Sequence, residues 1–568
     1  MYTLEKIKKD LAAEINQALK IKAVKASDLA YPPDTKMGDL SLPCFAIAKE
    51  LKKSPAEIAS LIVSKVKADG VIAAVRTAGP YVNFILRSSE LVASIIKEIV
   101  SKKEEYGVNT SGRSKKVMLE FSNGNTHKEL HIGHLRNICL GDSLTKILRA
   151  NGYDSIPTSY INDFGIHTAK TLWAYEEFYK NETLPANKGY FLGKVYVRAC
   201  QELEKDSAGK ATVNFIMKKI ESRQGEEYKL WQKTREWSIE QFAQIYAELG
   251  VNFVKIYYES DFIDEGQKIV KKLLKDGILK VSDNAVIADL EKYNLGVLVV
   301  LRSDGTATYP VADLALASEK FKKHKIDKSI YIVDVRQALY FKQLFKILEL
   351  MGYKKEMVHL GYEFLKLPTG MMSSRTGHVI TFEELRDQIF THAQSETKTR
   401  HQDWDDKKIN EVAQTLALGA MKFEMIKVSA DQVITFDIEK ALSFSGFTAA
   451  YLQYTYARLD SIIRKVNDQK VKAKVGYELL AEPKEKELVM MLAKYSEAIS
   501  RAGLEYNTAE IAKYLFELAQ LANDYYHQIP VMKAEEKVKM ARLALIISVN
   551  QVIKNGLGLL GINILTEM

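Results

Sequence analysis

Apolar residues recur at helical spacing over residues 4–19 and 54–68, predicting two amphipathic helices on either side of the turn YPPDTKMGDLSLP. A short strand in GPYVNFILR and a helix over 89–101 follow, so residues 1–112 read as a small α/β domain. EYGVNTSGRSKK has no period and reads as a linker. Beyond it the texture changes. KVMLEFS is a buried-strand run, NGNTHKEL a polar turn, and 132–150 a long helix closing at NGYD. With the strand SIPTSYIND this makes a βαβ unit. GVLVVLRSDG and SIYIVDV predict two later strands of the same parallel kind. Residues 172–249 are charge-rich, mostly helical and too long for a loop, which makes them an insertion in a parallel α/β domain spanning 113–400. From about His401 strand signals nearly vanish. FTAAYLQYTYARLDSIIRKV and KMARLALIISVNQVIKNGLGLLGI predict amphipathic helices of a C-terminal helical domain, 401–568.

Composition adds bounds. The chain is 47% hydrophobic and 27% charged, a globular balance, and its 568 residues correspond to about three to four domains. A net charge of +9 permits an anionic partner such as RNA without identifying one. Cys44, Cys139 and Cys200 share no paired spacing, which reads as buried thiols in a reducing compartment. MYTLEKIKKDLAAEI is a charged amphipathic helix rather than a secretory signal, and no apolar run reaches the roughly 18 residues of a membrane span. A soluble, cytosolic protein with no membrane partner is expected.

The stretch KELHIGHLRN, 128–137, holds two histidines at helix-neighbour spacing. Zinc would need a third and usually a fourth ligand at a recognisable offset, and no HExxH or Cys pair supplies one, so no metal is expected. The plainer alternative is a cap, with His131 closing the helix start and His134 packed in its first turn. The context favours a phosphate site: the pair sits where a parallel strand gives way to a helix, and Gly133 lets a ligand approach. Two imidazoles there can donate hydrogen bonds to a triphosphate.

A second element sharpens this. LPTGMMSSRTGHVI, 367–380, is a Gly- and Ser-rich loop with an arginine. HIGH at 131–134 followed by this loop resembles the paired signatures of class I aminoacyl-tRNA synthetases, with MMSSR at 371–375 where that family writes KMSKS. The resemblance narrows to the arginyl-tRNA synthetases and runs the length of the chain. GDLSLPCFAIAKELKKSPAEIA resembles that family's N-terminal domain. LEFSNGNTHKELHIGHLRN resembles its first active-site strand and helix, LRSDGTATYPVADLALA and YIVDVRQALYFKQLFKILELMGY its substrate-pocket segments, and AAYLQYTYARLDSIIRK with VIKNGLGLLGI its anticodon-binding domain.

The resemblance implies a Rossmann-like catalytic core with helical insertions, a small N-terminal α/β domain and a C-terminal α-helical anticodon-binding bundle. It implies arginine activated on ATP, with Mg²⁺, and passed to tRNA(Arg). ATP would be held by Lys128, His131, Gly133, His134, Met372, Ser373 and Ser374, with Lys128, His131, His134 and Arg375 stabilising the reacting phosphates. The family pattern assigns Glu120, Asn125 and His131 to the α-amino and carboxylate end of arginine, Tyr309 and Asp313 to its side chain, and Gln337 to the far wall. A guanidinium needs a carboxylate in forked geometry and a neighbour that defines its plane, and YPVAD sets Tyr309 and Asp313 four apart. For tRNA, Tyr451, Gln453, Tyr454 and Arg458 suit unstacked anticodon bases, and Tyr81 and Asn83 the tRNA elbow. The resemblance extends to tRNA being bound before arginine is activated, and a monomer is expected.

Two departures stand out. Met371 and Ser374 occupy positions where a lysine is common, so charge for the triphosphate is missing from both, and Lys128, three residues before HIGH, is the expected source of it. Gly124 stands where many relatives carry proline and is expected to loosen the turn before Asn125. Two alternatives remain: a catalytically impaired tRNA-binding paralogue, and a class I synthetase for another amino acid.

Overall fold

The computed structural model describes residues 1–204, 207–366, 380–466 and 475–568. Five parallel strands form its centre: β1 (Lys116–Glu120), β2 (Asp154–Ile161), β3 (Lys255–Tyr258), β4 (Lys328–Asp334) and β5 (Glu356–Tyr362). Their spatial order is β3-β2-β1-β4-β5. β1 and β2 are buried along nearly their whole length, and β1 is accordingly written as an apolar run, Val117–Leu119, whereas β2 buries Ser155, Thr158 and Ser159 as well. The strand order reverses between β1 and β4, and ligands of such sheets settle beyond the carboxyl ends of the strands at that reversal. Here the chain turns into the helix Ile132–Ala150. Asn137 on this helix ties the reversal together, accepting from the Ser122 N–H and donating to Ile332 O at 2.7 Å.

Val297–Leu301 corrects the sequence reading. It pairs antiparallel with Ala285–Asp289 in a separate three-stranded sheet, with Val300 buried and Val297 and Val299 exposed. A short apolar run suits a strand packed on one face or on two, and periodicity does not separate them. β3 and β5 complete the parallel sheet instead. KIYY is only four residues long, and EMVHLGY carries a histidine and a glycine, so neither signals strongly.

The insertion consists of helices Ile166–Phe178, Lys188–Leu203, Ser207–Glu221 and Gly225–Glu248 around their own core of Leu172, Leu192, Val195 and Trp231. Its last helix has 24 residues and therefore spans roughly 36 Å. In the N-terminal domain, Tyr81–Leu86 is flanked by two further strands, Leu40–Pro43 and Ile72–Ala78, the first of them inside the stretch read as a turn.

This domain docks on the C-terminal helices through Lys8–Glu497 (2.8 Å) and Lys486–Asp39 (2.7 Å). The supposed linker is itself fastened. Tyr106 is buried between Tyr2 and Tyr495, and Asn109 Nδ2 donates to Asn151 Oδ1 at 2.8 Å. Among the described residues, no helix is long and apolar enough to cross a membrane.

Candidate active site

The helix Ile132–Ala150 is capped by its own motif. His131 Nδ1 accepts from the Gly133 N–H (3.1 Å), and His134 Nδ1 accepts from the His131 N–H (3.2 Å), closing a reciprocal box. The rings lie 3.9 Å apart between centroids. Desolvation pushes His131 down to about 4, with the Lys128 and Arg336 charges adding to it, and pushes His134 well below its ordinary range. Both rings are therefore neutral near pH 7. A neutral imidazole whose Nδ1 accepts carries its proton on Nε2. The motif thus presents two Nε2–H donors at a helix N-terminus, where the backbone dipole also favours an anion. Cap and donor pair are one arrangement, the first orienting the second.

Gly133 makes it fit, because a Cβ there would stand 2.9 Å from His131 Cε1 and 3.0 Å from its Nδ1. Gly133→Ala is expected to displace the ring and slow a reaction that builds charge on a phosphate at this helix start by about a hundredfold, as loss of one positioned donor does elsewhere. A turnover assay would show the loss, and an unchanged melting temperature would separate it from misfolding.

Beside the motif opens a cleft of about 360 Å³, lined among others by Asn125, Lys128, His131, His134, Tyr196 and Thr381. Lys128 Nζ lies 4.7 Å from the centre of the Tyr196 ring, on the insertion helix Lys188–Leu203. The turn before Asn125 is tighter than expected from a glycine: the Gly124 N–H, which a proline lacks, donates to Ser122 O at 2.8 Å. His127 braces this turn, with Nε2 2.8 Å from Thr234 Oγ1 and its N–H donating to Ser238 Oγ.

Met371, Met372, Ser373, Ser374 and Arg375 lie outside the described residues. The flanks of that segment are tied to the HIGH helix. After it, Phe382 N donates to Leu130 O (2.8 Å) and Ile132 N to Ile380 O (3.2 Å). Before it, the buried Arg136 donates to Glu363 O at 2.6 Å.

A second group of side chains lies across the strand reversal. Tyr309 is exposed at the start of the helix Tyr309–His324, with Asp313 one turn further in. Asp313 accepts from the hydroxyl of Tyr340 and bonds Tyr160 of β2. Desolvation pushes its carboxyl up to about 7. Glu259, beyond β3, is 6% exposed, and its Oε2 has no hydrogen-bond partner among the described residues. Burial, with Asp313 and Asp163 nearby, holds it well above the usual carboxylate range. Two buried acids with aromatic walls suit a planar cation that forks between them and restores their charge. Gln337 is exposed at the N-cap of the helix Ala338–Leu350, whose first turn carries Tyr340.

Sequence reasoning missed Glu259, Tyr160 and Tyr340, which come from the ends of separate elements and share no motif. Glu120, at the end of β1, is 3% exposed, and its Oε2 is salt-bridged to the wholly buried Lys320, which fixes the carboxylate in place. Removing either partner would cost about 3–5 kcal/mol.

This core matches a family model described as "tRNA synthetases class I (R), catalytic domain" over residues 95–437, more than half of the chain. The chain belongs to the arginyl-tRNA synthetases. The arginine–tRNA ligase of Bdellovibrio bacteriovorus is 35% identical over 548 residues, covering 94% of this chain and 93% of that one. That of Clostridium botulinum is 33% identical over 567 residues, 99% of each. The solved Thermus thermophilus arginyl-tRNA synthetase superimposes with a TM-score of 0.84 at 28% identity, covering 99% of this chain and all of the other. The activity of this arginyl-tRNA synthetase is that of an arginine–tRNA ligase, a class I enzyme using ATP, and the relatives lend no support to either alternative.

Residues 452–568 of this synthetase match the "DALR anticodon binding domain", and 5–86 the "Arginyl tRNA synthetase N terminal domain". A groove of about 780 Å³ is lined by Tyr454, Arg458, Arg464 and Tyr526 of the former and by Trp404, which precedes it, among others. Arg458 stacks 5.0 Å over Tyr526, so aromatic faces and guanidinium groups meet as unstacked bases require. Tyr454 and Arg458 line the groove, while Tyr451 packs on Phe516 and accepts from Asn523 Nδ2. Gln453 needs a correction: it is fully buried and donates to Asn563 O at 2.8 Å, leaving it no edge for RNA. In the N-terminal domain Tyr81 is exposed, 5.8 Å from the exposed Phe45 ring, whereas Asn83 is buried and unavailable to RNA.

Proposed function

We propose that the HIGH cleft holds ATP and that the acidic well across the strand reversal reads the guanidinium of arginine. The observation that carries this is the pair of Nε2–H donors beside Lys128 at the start of the HIGH helix, with the buried acids Asp313 and Glu259 gathered at the ends of other elements. On this reading arginine's carboxylate attacks the α-phosphate and pyrophosphate leaves. His131, His134 and Lys128 stabilise the phosphates, and Asn125 steadies the substrate's backbone end. Asp313 and Glu259 fork onto the side chain, with Tyr309 over its plane and Gln337 at the outer wall. Arg375 and the backbone of 372–374 would close on the nucleotide. Mg²⁺ would arrive with ATP, neutralising its phosphates, and Glu129 and Glu384 are the carboxylates lining the cleft. With no side-chain nucleophile in the scheme, the rate comes from positioning and charge.

The arginyl group then passes to the terminal ribose of tRNA(Arg). That tRNA is gripped by the aromatic groove at Tyr454 and Arg458 and by Tyr81 at the elbow, and is bound before arginine is activated. The chain acts as a monomer in the cytosol, with catalytic residues 113–400 between tRNA-contacting residues 1–112 and 401–568. Charging total tRNA with each amino acid in turn tests the pocket. Arginine alone is expected to charge, and lysine to fail because it would leave fork acceptors unpaired. Charging of lysine at a comparable rate would overturn the assignment of the acidic well.

A further inference from the structure

We infer that Lys422 is a positioning residue that couples the anticodon groove to the ATP cleft. Its side chain is 8% exposed and belongs to the helix Asp406–Ile426. Its ammonium donates to two carbonyls from distant parts of the chain, Leu249 O (2.5 Å) and Gly561 O (2.6 Å). Leu249 is the C-cap of the insertion helix Gly225–Glu248, and Gly561 follows directly on the C-cap of the helix Glu536–Leu559. One buried charge thus closes the negative ends of two helices. Burial weakens the ammonium and the nearby Asp142 carboxylate counters that, while the two carbonyls hold it in place. Gly561 has φ +70°, and a Cβ there would stand 2.7 Å from Asp142 Oδ2, so only glycine brings the tail this close.

Each carbonyl leads somewhere. Beyond Gly561, Asn563 O accepts from Gln453 on the groove helix Ala449–Lys465, and Thr566 O accepts from Arg464 (2.7 Å), which lines the groove. In the other direction the helix ending at Leu249 runs to both sides of the ATP site. Glu248 accepts from Arg386 (3.1 Å) and Gln241 donates to Glu383 (2.6 Å), both on the helix Phe382–Arg400 after the second signature. Ser238 and Thr234 hold His127, four residues before His131. A base that shifts the groove helix pulls the tail. The tail moves Lys422, and Lys422 resets the end of a helix that braces both signatures.

The test replaces Lys422 by Met, similar in length and uncharged, and measures charging of tRNA transcripts with the native or one substituted anticodon base. In the unmodified enzyme the substitution lowers kcat and raises KM for tRNA. In Lys422→Met, kcat with native tRNA is expected to fall about tenfold and to lose its dependence on the anticodon, while KM still responds. Lys422→Arg, which keeps charge and donors, restores the dependence. A merely structural lysine would lower the melting temperature and all rates yet leave the anticodon effect on kcat intact, which overturns the inference. So does an unmodified enzyme whose kcat ignores the anticodon. If Lys422→Met fails to fold, Lys422→Gln, with one amide for two carbonyls, is measured instead. It is expected to reduce the anticodon effect on kcat, and an undiminished effect overturns the inference.

Discussion

Replacing Lys128 with methionine is expected to lower arginine-dependent pyrophosphate exchange, measured with tRNA present, by about two to three orders of magnitude. On the proposed reading, the leaving pyrophosphate concentrates negative charge beside the HIGH helix. Both lysine positions of the second signature are empty of charge here, at Met371 and Ser374. Lys128 lines the same cleft as His131 and His134, and its charge helps hold both rings neutral. Removing it takes away a cation and also relaxes the pressure that keeps the rings as donors. Lys128→Arg should recover part of the rate, since the Tyr196 face against which the ammonium lies also accepts a guanidinium. A loss under roughly threefold would sink the role given to this lysine.

Asp313→Asn is expected to reduce kcat/KM for arginine by about a thousandfold, most of it in KM, because a forked charged contact is lost in a desolvated well. The same residue sets a pH dependence. Its carboxyl, raised to about 7, is largely protonated below that pH in the free enzyme, and a guanidinium binds the ionised form. Arginine binding therefore releases a proton. KM for arginine should fall roughly tenfold per pH unit on rising toward 7 and level off above it. In Asp313→Asn that slope should vanish. A slope that survives would move the titration to Glu259, its neighbour in the well.

The sequence reading succeeded where chemistry sits on one continuous stretch. HIGH begins a 19-residue helix whose boundaries the pattern predicts as Ile132–Ala150, and a cap, a glycine and two donors all lie within four letters. It fell short where a site is assembled from separate chain ends. Glu259 follows a four-residue strand, and Tyr340 matters only because its helix crosses that of Asp313. Polar letters on amphipathic elements misled it in the other direction. Gln453 and Asn83 look like surface contacts in the sequence, yet one serves a carbonyl of the tail and the other is sealed inside a small sheet. The interior uses amides for its own unsatisfied groups, and no local pattern distinguishes that from recognition.

The fastened linker at Tyr106 has a consequence for the choice of tRNA. With its ring between Tyr2 and Tyr495, and with ion pairs joining the N-terminal domain to the C-terminal helices, the two surfaces proposed to grip tRNA form a single caliper. Its jaws, near Tyr81 and near Tyr454, keep a set opening. If those surfaces grip as proposed, a nucleic acid is selected by the distance from its elbow to its anticodon loop as well as by its bases.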